Sequence, residues 1–381
     1  MFRFAYSVFM HGVFFVVGFT AICHSERSRG ISHYSAARDV STHSTIAQGR
    51  LPLDMTEEAT RTFFIVGPTA TGKSELAADV ARSVDGEIVS ADAFQIYRGF
   101  DLLTAKPDAV TLAKAPHHLI GTMSILEEMN VEKFRQLALN DINEIHSREK
   151  IAIVVGGSGL YVKALTHGLS VVPVIDAKLR ADLNRLSLEQ LQKRLVDLDP
   201  ETARKIDMKN RRRVSRALEI CLTGGANRSC RGSSLLPRGT VRAGRAVTAS
   251  PTVSERNWTQ HSNATGVFVF RDREDLHQRI NQRVEAMLKK GVIEEARAID
   301  EIGSTAAKMI GLREIRQHLE GKMSILQCVE KIQSATRQYA KRQLTWFRHQ
   351  TSFEPLNISP LTHDAAVKWI SQRARRSCAK G

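Results

Sequence analysis

Residues 63–74 constrain the fold more than any other stretch of this chain. The stretch opens with four apolar residues, Phe63 to Val66, a run of the right length for one buried parallel strand. The next eight residues match the phosphate-binding pattern G-x-x-x-x-G-K-[ST] at every fixed position. This phosphate loop consists of Gly67, Pro68, Thr69, Ala70, Thr71, Gly72, Lys73 and Ser74.

The residue types in the phosphate loop indicate what it can bind. Its glycines allow successive backbone N–H groups to curl around a phosphate, and the positive end of the helix that starts near Lys73 points at the same place. Lys73 adds a mobile positive charge for the outer phosphate, and the Ser74 hydroxyl can ligate Mg²⁺. The pattern therefore predicts a diphosphate site, although it does not identify the group that the diphosphate carries.

The charge of the chain points to a polyanionic partner. Its 381 residues include 55 Lys and Arg against 40 Asp and Glu, which gives a formal net charge of +15. Such an excess favours nucleic acid or an anionic membrane surface, although a generally basic protein would show the same balance. The 5 cysteines lack the paired spacing of a zinc site or a disulfide framework, which suits a reducing compartment.

Residues 1–58 do not match the rest of the chain. Residues 1–22 are apolar and aromatic, as in a signal peptide or a short membrane anchor, whereas residues 24–50 are rich in Ser, Arg and His, as in a transit peptide. A third interpretation is a mis-assigned translation start, with the functional chain beginning near Met55. We therefore leave residues 1–58 out of the fold prediction.

Two further predicted strands end in residues that can carry chemistry. Residues 87–90 lead into Asp92 and Gln95, and residues 151–155 lead into a glycine-rich turn that contains Ser158. Because the carboxyl ends of parallel strands face one crevice, Asp92 is a candidate general base and Gln95 a candidate reader of polar edges. The alternative for Asp92 is a helix cap. The second strand ends in glycines rather than in the acid that NTP-hydrolysing proteins use on magnesium, which counts against a motor ATPase.

Strands that alternate with helices predict an α/β fold of the P-loop NTPase type, with a parallel sheet flanked by helices.

Residues 176–223 have a mostly helical pattern and carry four arginines within residues 211–216. This cluster suits contact with a phosphate backbone, and a solvated helix face is the alternative. The predicted domains are 1–58, an atypical N-terminal extension; 59–175, the phosphate-loop core; 176–223, a helical insertion; 224–262, a flexible basic insert; 263–350, the part that completes the core; and 351–381, a tail.

A long helix is predicted around residues 336–348. Arg337, Lys341 and Arg348 fall on one face of it, and a basic stripe with aromatic side chains nearby suits nucleic acid. The aromatic side chains take a different face and are predicted to lie in the core. They are Tyr339, Trp346 and Phe347.

These motifs, in this order, resemble one family, the tRNA dimethylallyltransferases. The resemblance extends from about residue 61 to residue 348 and is interrupted by the insert 224–262. It is carried by residues 67–74, 92–97, 104–107, 156–161, 213–219 and 341–347.

The resemblance implies transfer of a dimethylallyl group from dimethylallyl diphosphate to N6 of adenosine 37, in tRNAs that read codons beginning with U. It also implies Mg²⁺, with Ser74 as a ligand, and a helical insertion that clasps the tRNA. Asp92 would be the catalytic base, Lys73 would meet the leaving diphosphate, and Ser158 would stand beside the reacting adenine, where the family usually has threonine. The implied tRNA-binding positions are Asp92, Ala93, Phe94, Gln95, Ser158, Arg180, Arg212, Arg213, Val214, Ser215, Arg216, Lys308, Arg313, Lys341, Arg342 and Arg348.

Three departures from the family pattern are visible. Ala93 stands where the family usually has serine, so one possible hydrogen bond is absent. Gly121 replaces an aspartate, and the insert 224–262 is longer and more basic than expected. The C-terminus lacks the zinc-finger spacing of many eukaryotic members, which favours a bacterial or minimal form.

Two other functions fit part of the sequence. A small-molecule or nucleoside kinase would hold ATP in the phosphate loop and use Asp92 on a hydroxyl, but it does not account for the basic residues at 211–216 and 337–348. A non-catalytic RNA-binding protein would keep the loop as a structural relic. We expect a cytoplasmic monomer without a stable membrane partner, and the N-terminal extension leaves mitochondrial import open.

Overall fold

A computed structural model of the chain describes residues 8–10, 13–15, 61–169, 175–223 and 264–378. The chain divides into two compact units, Met1–Arg50 and Leu51–Gly381. In the first unit, β1 (Val8–Met10) pairs with β2 (Val13–Phe15) in antiparallel register. The predictions of a targeting segment or a mis-assigned start otherwise lie outside the described residues. No helix within the described ranges is both long enough and apolar enough to cross a bilayer.

The second unit is built on a six-stranded sheet in which every pairing is parallel. In spatial order the strands are β5 (His117–His118), β4 (Gly86–Ser90), β6 (Ile151–Gly156), β3 (Thr62–Val66), β7 (Thr265–Phe270) and β8 (Glu354–Asn357). This topology confirms the predicted parallel sheet. The strand that leads into the phosphate loop, β3, lies between β6 and β7, where an unbroken apolar run is buried on both faces.

Helices cover both faces of this sheet, so that two cores form. Side chains alternate along β3: Phe64 and Val66 join one core, and Phe63 and Ile65 join the other. The helices are α1 (Lys73–Ser83), α2 (Ala109–Leu112), α3 (Val131–Ser147), α4 (Gly159–His167), α5 (Ala177–Arg185), α6 (Leu188–Leu198), α7 (Pro200–Lys205), α8 (Arg211–Leu222), α9 (Arg273–Lys289), α10 (Val292–Arg297), α11 (Leu312–Leu319), α12 (Ile325–Gln350) and α13 (His363–Cys378).

The middle segment has a small core of its own. Its four helices, α5 to α8, begin after capping side chains that each accept a backbone N–H from the first turn: Asp176, Ser187, Asp199 and Asn210. Their apolar faces meet in a cluster around Leu195 and Leu218. The segment is mostly helical, as its sequence pattern predicts, and its role in clasping tRNA stays a prediction.

The structure differs from the predicted tail over residues 351–381. Within that range β8 forms an edge of the sheet, and α13 packs on α1 in the sheet core that contains Phe63 and Ile65. The strand is only four residues long and contains Pro355, which an edge strand accepts because no neighbour needs its missing N–H. A strand this short has no periodic signal, so the sequence pattern did not reveal it.

The long helix α12 starts earlier than the sequence pattern suggests. A capping box formed by Ser324 and Gln327 begins it, and it continues to Gln350. Phe347 is fully buried in the sheet core that contains Phe64 and Val66, and Trp346 packs against that core, as predicted. Tyr339, predicted to lie in the core, instead lines a cleft described below.

Candidate active site

Three turns meet at the carboxyl edge of the sheet, where β3, β4 and β6 end. Gly67 of the phosphate loop donates its N–H to Gly156 O at 3.2 Å, and Ser158 donates its N–H to Ala91 O at 3.3 Å. The Ala93 N–H donates to Ser158 Oγ at 3.1 Å. The fold therefore joins by direct hydrogen bonds the three turns that the sequence singles out.

The phosphate loop has a backbone that only some residues tolerate. Gly72 has φ +88° and Ala70 has φ +65°, both in the left-handed region, which costs a residue with a side chain about 1–2 kcal/mol. The Thr71 hydroxyl and Lys73 Nζ both donate to Pro68 O, at 2.9 and 3.1 Å. Since α1 begins at Lys73, the loop ends at the positive end of a helix, as an anion site requires.

Three arginines that sequence reasoning missed hold this loop from the side of β7 and α9. Arg271 Nε donates to Thr71 O at 2.8 Å, and Arg279 Nε donates to Ala70 O at 3.0 Å. Arg283 Nη1 donates to the Thr69 hydroxyl at 2.8 Å. The four-residue spacing of Arg279 and Arg283 places both on one helix face, which is the only local signal that could have found them.

The pKa of Lys73, a cation of the phosphate loop, is strongly perturbed. Burial lowers its pKa to about 8; nearby Asp92 raises the pKa in part, and Arg283 lowers it further. A lysine with a pKa near 8 is partly neutral in the free protein at that pH. A bound anion would favour its charged form, so binding and protonation of Lys73 are linked.

Pyrophosphate binding is therefore expected to weaken as the pH rises through 8. Above that pH, binding must take up a proton on Lys73, so the dissociation constant should rise by up to about tenfold per pH unit. Calorimetric titration of the wild type and of Lys73→Met at several pH values between about 7 and 9.5 measures this. The ligand's own ionisation affects both proteins alike, so their difference reports Lys73. A difference that is constant across the pH range would contradict the assignment.

Asp92 lies at the end of β4 and closes a tight turn. Its Oδ1 accepts the N–H groups of Phe94 and Gln95 at 2.9 and 3.3 Å. Among the described residues, none donates to Oδ2. The next helix begins only at Ala109, so Asp92 does not cap a helix. The turn leaves one carboxylate oxygen available to a substrate.

Two clefts open beside Asp92 and share it as a wall. The first, called the polar cleft because Lys73, Ser74 and Gln95 line it, also has apolar side chains in its wall. The second has Arg283 and Tyr339 in its wall together with a larger group of apolar side chains. The apolar side chains of the second cleft are Phe94, Leu103, Val284, Met287, Met309, Ile310 and Ile332. Asp92 therefore stands where an anion site meets an apolar pocket.

Gln343 of α12 ties the phosphate loop to the Ser158 turn. Its Oε1 accepts the Thr69 N–H at 2.9 Å and its Nε2 donates to Gly157 O at 2.8 Å. Gly157 must be glycine for this approach, because a Cβ there would lie 2.3 Å from Gln343 Nε2. Burial raises the pKa of neighbouring Tyr339, and the charge of Asp92 adds to this, so its phenol stays protonated. Sequence reasoning did not place Gln343 at the site.

Gln95 is held in one orientation. Its Nε2 donates to Thr104 O and Ala105 O at 3.3 and 3.0 Å. Because both protons are directed to the loop 104–105, Oε1 is the atom that can accept a hydrogen bond in the polar cleft. Gln95, which was predicted to recognise polar edges, can therefore accept a hydrogen bond at this position through its Oε1.

The predicted tRNA-binding residues outside the clefts lie mostly on the surface. Arg180 and Arg216 each pair with Glu219, at 3.0 and 2.9 Å, and remain about half exposed. Arg313 pairs with Glu314 at 2.9 Å and is 79% exposed. The others with exposed side chains are Arg212, Arg213, Lys308, Lys341, Arg342 and Arg348.

Val214 corrects the tRNA-binding prediction. Its side chain is fully buried in the small core of the helical segment, so it cannot contact a partner through that side chain. Ser215, beside it, is half-buried. Val214 instead fixes α8 so that its neighbours Arg212 and Arg213 face solvent.

A metal ion held by protein side chains alone needs a cluster of ligating side chains. None of the described residues forms a cluster of three or more His, Cys, Asp or Glu side chains of that kind. Ser74, Ser90 and Asp92, whose side chains carry hydroxyl or carboxylate oxygens, line one cleft beside the phosphate loop. Any cation there would need oxygen ligands from the bound molecule as well.

Comparison with known proteins identifies the family. The model of the IPP transferase family matches residues 95–350. The tRNA dimethylallyltransferase of Akkermansia muciniphila is 39% identical over 299 residues, which is 78% of this chain and 94% of that protein. The tRNA dimethylallyltransferase of an Exiguobacterium species is 38% identical over 294 residues, or 75% of this chain and 86% of that protein.

Solved structures agree with these relatives. The tRNA isopentenylpyrophosphate transferase from Bacillus halodurans has a TM-score of 0.57 and 30% identity, over 84% of this chain and 97% of that one. A eukaryotic dimethylallyltransferase, determined while acting on tRNA, has a TM-score of 0.65 and 25% identity over 82% of this chain and 77% of that one. The match to the family model and the identity to full-length relatives establish that this chain belongs to the IPP transferase family.

Proposed function

We propose that this protein transfers a dimethylallyl group from dimethylallyl diphosphate to N6 of adenosine 37, in tRNAs that read codons beginning with U. The observation that carries the proposal is the position of Asp92 between a phosphate loop and an apolar pocket. Its relatives are named tRNA dimethylallyltransferases, and one was determined while acting on tRNA. The reaction needs an anion site, a place for an apolar group and a base, and these are the three features that meet here.

The base is the first requirement. The exocyclic amine of adenine is a weak nucleophile because its lone pair is delocalised into the ring. Asp92 Oδ2 would accept a hydrogen from this amine while Oδ1 stays bound to the turn. As the C–N bond forms, the proton would pass to the carboxylate, which lines both clefts and is held rigidly by its own backbone.

The leaving group is the second requirement. The C–O bond to the diphosphate breaks as the C–N bond forms, so negative charge grows on the departing diphosphate. Lys73, the backbone N–H groups of the phosphate loop and the Arg283 guanidinium would stabilise that charge. The seven apolar side chains of the second cleft would receive the dimethylallyl group next to this charged loop.

The polar cleft also fits a magnesium ion. Ser74, Ser90 and Asp92 supply hydroxyl and carboxylate oxygens, the ligand type that Mg²⁺ prefers. We propose that Ser74 holds the ion together with diphosphate oxygens. When bound, the ion would neutralise part of the charge on the leaving diphosphate. Asp92 would remain the base, because only its Oδ1 is engaged by the turn and no described residue donates to Oδ2.

The tRNA would lie across the exposed arginines of the helical segment and the basic residues of α12. The adenine must leave the anticodon-loop stack to reach Asp92, so the backbone on either side must be held. Arg212 and Arg213 on α8 and Lys341 and Arg342 on α12 are exposed and can make such contacts.

The tRNA affinity is accordingly expected to fall steeply with salt. Replacement of Arg212 by Gln should lower the slope of log Kd against log salt by about 0.7 to 1, because one phosphate contact is lost. Arg376→Gln is the matched control, since Arg376 is also exposed but lies on α13, which packs in the core around α1 and not in that of the helical segment. Filter binding or fluorescence anisotropy over a salt series measures the slopes. Equal slopes in the wild type, Arg212→Gln and Arg376→Gln would contradict the assignment of α8 to the tRNA-binding surface.

A transfer assay tests the proposed function directly. Purified protein is incubated with Mg²⁺, unmodified tRNA that reads a codon beginning with U, and radiolabelled dimethylallyl diphosphate. Label that maps to the base following the anticodon supports the proposal. If no label is transferred, labelled ATP is supplied under the same conditions. Phosphate transfer would then support the kinase alternative, and no transfer from either donor would support a non-catalytic RNA-binding protein.

A further inference from the structure

The segment that follows β8 is tied to the turn between β7 and α9. The backbone N–H of Ile358 donates to Phe270 O at 2.9 Å. Ser359 Oγ accepts the Asp272 N–H at 2.9 Å and donates to Asp275 Oδ2 at 2.6 Å. The hydroxyl of Ser359 thus has a defined donor and a defined acceptor.

Asp275 is also bonded to Arg271, which in turn binds the phosphate loop. Its Oδ2 also accepts from Arg271 Nη1 at 2.8 Å, and Arg271 Nε donates to Thr71 O at 2.8 Å. The Arg271 side chain is 18% exposed and that of Asp275 is 31% exposed, so solvent screens the pair only in part. A chain of three hydrogen bonds therefore joins Ser359 to the loop, in the order Ser359, Asp275, Arg271, Thr71.

The phosphate loop needs these supports because of its backbone. Ala70 is held in the left-handed region, and its carbonyl and that of Thr71 are each bound by one arginine. Arg271 and Arg279 repel one another: burial lowers the pKa of Arg279, Arg271 lowers it further, and the charge of Asp275 raises it. The carboxylates of Asp275 and Glu75 thus both offset the repulsion between the two guanidinium groups, and of the two only Asp275 forms an ion pair with Arg271.

Asp275 itself depends on Ser359. Burial raises the pKa of Asp275, but the hydrogen bonds from Ser359 and Arg271 outweigh this, so the net pKa is lowered and the carboxylate stays charged. Loss of the Ser359 hydroxyl removes one of the two donors that orient Oδ2. The side chain of Asp275 would then be free to turn away from Arg271.

We propose that Ser359 is a positioning residue for the diphosphate site, which acts through Asp275 and Arg271 on the phosphate loop. The C-terminal strand segment thereby sets the affinity of a loop that lies about 290 residues earlier in the chain. The inference rests on the proposed function only in that the loop binds the diphosphate of the donor. Neither tRNA nor the dimethylallyl group is involved, so the inference can be tested with pyrophosphate alone.

The test compares pyrophosphate binding, with Mg²⁺ present and without tRNA, in three single variants of the full chain. Ser359→Ala should raise the dissociation constant about threefold to tenfold, the range expected for one lost hydrogen bond. Ser359→Thr keeps a hydroxyl and should restore most of the affinity. Thr362→Ala is the matched control: its hydroxyl accepts only the Ala365 N–H, at 3.3 Å, and has no contact with Asp275. Binding of tRNA should stay within about twofold in all three.

A double variant separates positioning from general destabilisation. If Ser359 acts through Asp275, the effects of Ser359→Ala and Asp275→Asn on pyrophosphate affinity should be clearly less than additive. Full additivity would overturn the proposal, as would unchanged pyrophosphate affinity in Ser359→Ala. Parallel losses of pyrophosphate and tRNA affinity with a lower melting temperature would also overturn it, since they indicate a general loss of fold. If the wild type failed to bind pyrophosphate, the proposed donor site itself would be wrong.

Discussion

Asp92→Asn is expected to lower kcat for dimethylallyl transfer by about two to four orders of magnitude, the usual contribution of a general base. The asparagine can keep the turn, because its carbonyl oxygen can still accept the N–H groups of Phe94 and Gln95. The atom that replaces Oδ2 is an amide nitrogen, which donates and cannot take a proton from adenine N6. Single-turnover kinetics at saturating tRNA measure the loss, and the tRNA dissociation constant should change less than about twofold.

A second effect of this substitution follows from the charge of Asp92. The carboxylate raises the pKa of Lys73, against the larger effect of burial. Its removal should move the weakening of pyrophosphate binding to a lower pH than in the wild type. This shift is independent of catalysis and can be measured by the same calorimetric titration. It would show that Asp92 and the phosphate loop share one electrostatic environment.

Asp108→Asn is the control for Asp92→Asn. Asp108 also accepts a backbone N–H, as the cap of α2, with its Oδ1 bound to the Thr111 N–H at 2.9 Å, but it is exposed and lines neither cleft. Its substitution should leave kcat unchanged. Wild-type turnover in Asp92→Asn would mean that another group takes the proton, and an equal loss in Asp108→Asn would mean that the loss does not report the site.

Gln343→Leu is expected to have the second largest effect. It removes both partners that Gln343 supplies, so the Thr69 N–H and the Gly157 carbonyl lose their hydrogen bonds in a buried place. Each unsatisfied group costs about 1–3 kcal/mol, so the loss of both should lower the free energy of unfolding by about 2–6 kcal/mol. The phosphate loop and the Ser158 turn would also lose their common anchor, and kcat/KM should fall about tenfold to a hundredfold.

Two measurements check the Gln343 prediction. Urea unfolding gives the stability, and kcat/KM for dimethylallyl diphosphate gives the effect on the site. Gln338→Leu is the matched control, because Gln338 is exposed on the same helix and lines neither cleft. A Gln343→Leu protein with normal kcat/KM would show that the bridge contributes to the fold and not to the geometry of the site.

The positions of those parts of the site that are local in sequence followed from the sequence, and the roles of their residues stay predictions. The phosphate loop has fixed spacings because one helix N-terminus and one turn must surround a phosphate. The positions of Asp92 and Ser158 followed from a rule about parallel strands, whose carboxyl ends share one edge. The hydrogen bonds between these turns confirm the rule in this chain.

The parts that failed or were missed depend on contacts between distant residues. Gln343 binds Thr69 across 274 positions, and Arg283 binds it across 214. Tyr339 was predicted to lie in the core because an aromatic side chain on an amphipathic helix usually does, and only the docking of α12 against the Asp92 turn places it in a cleft. Val214 was assigned with its arginine neighbours, although helical periodicity turns it inward.

By itself, the sequence determined the class of the fold, the phosphate loop and the candidate base, because each depends on spacings within a few residues or on alternating strands and helices. Only the tertiary structure decided which arginines support the loop, which glutamine bridges the turns and how the C-terminal strand adds an edge to the sheet. The physical reason is that hydrogen bonds and packing act over a few ångströms in space and impose no spacing along the chain. Ser359 and Thr71 are far apart in sequence, yet two side chains connect them.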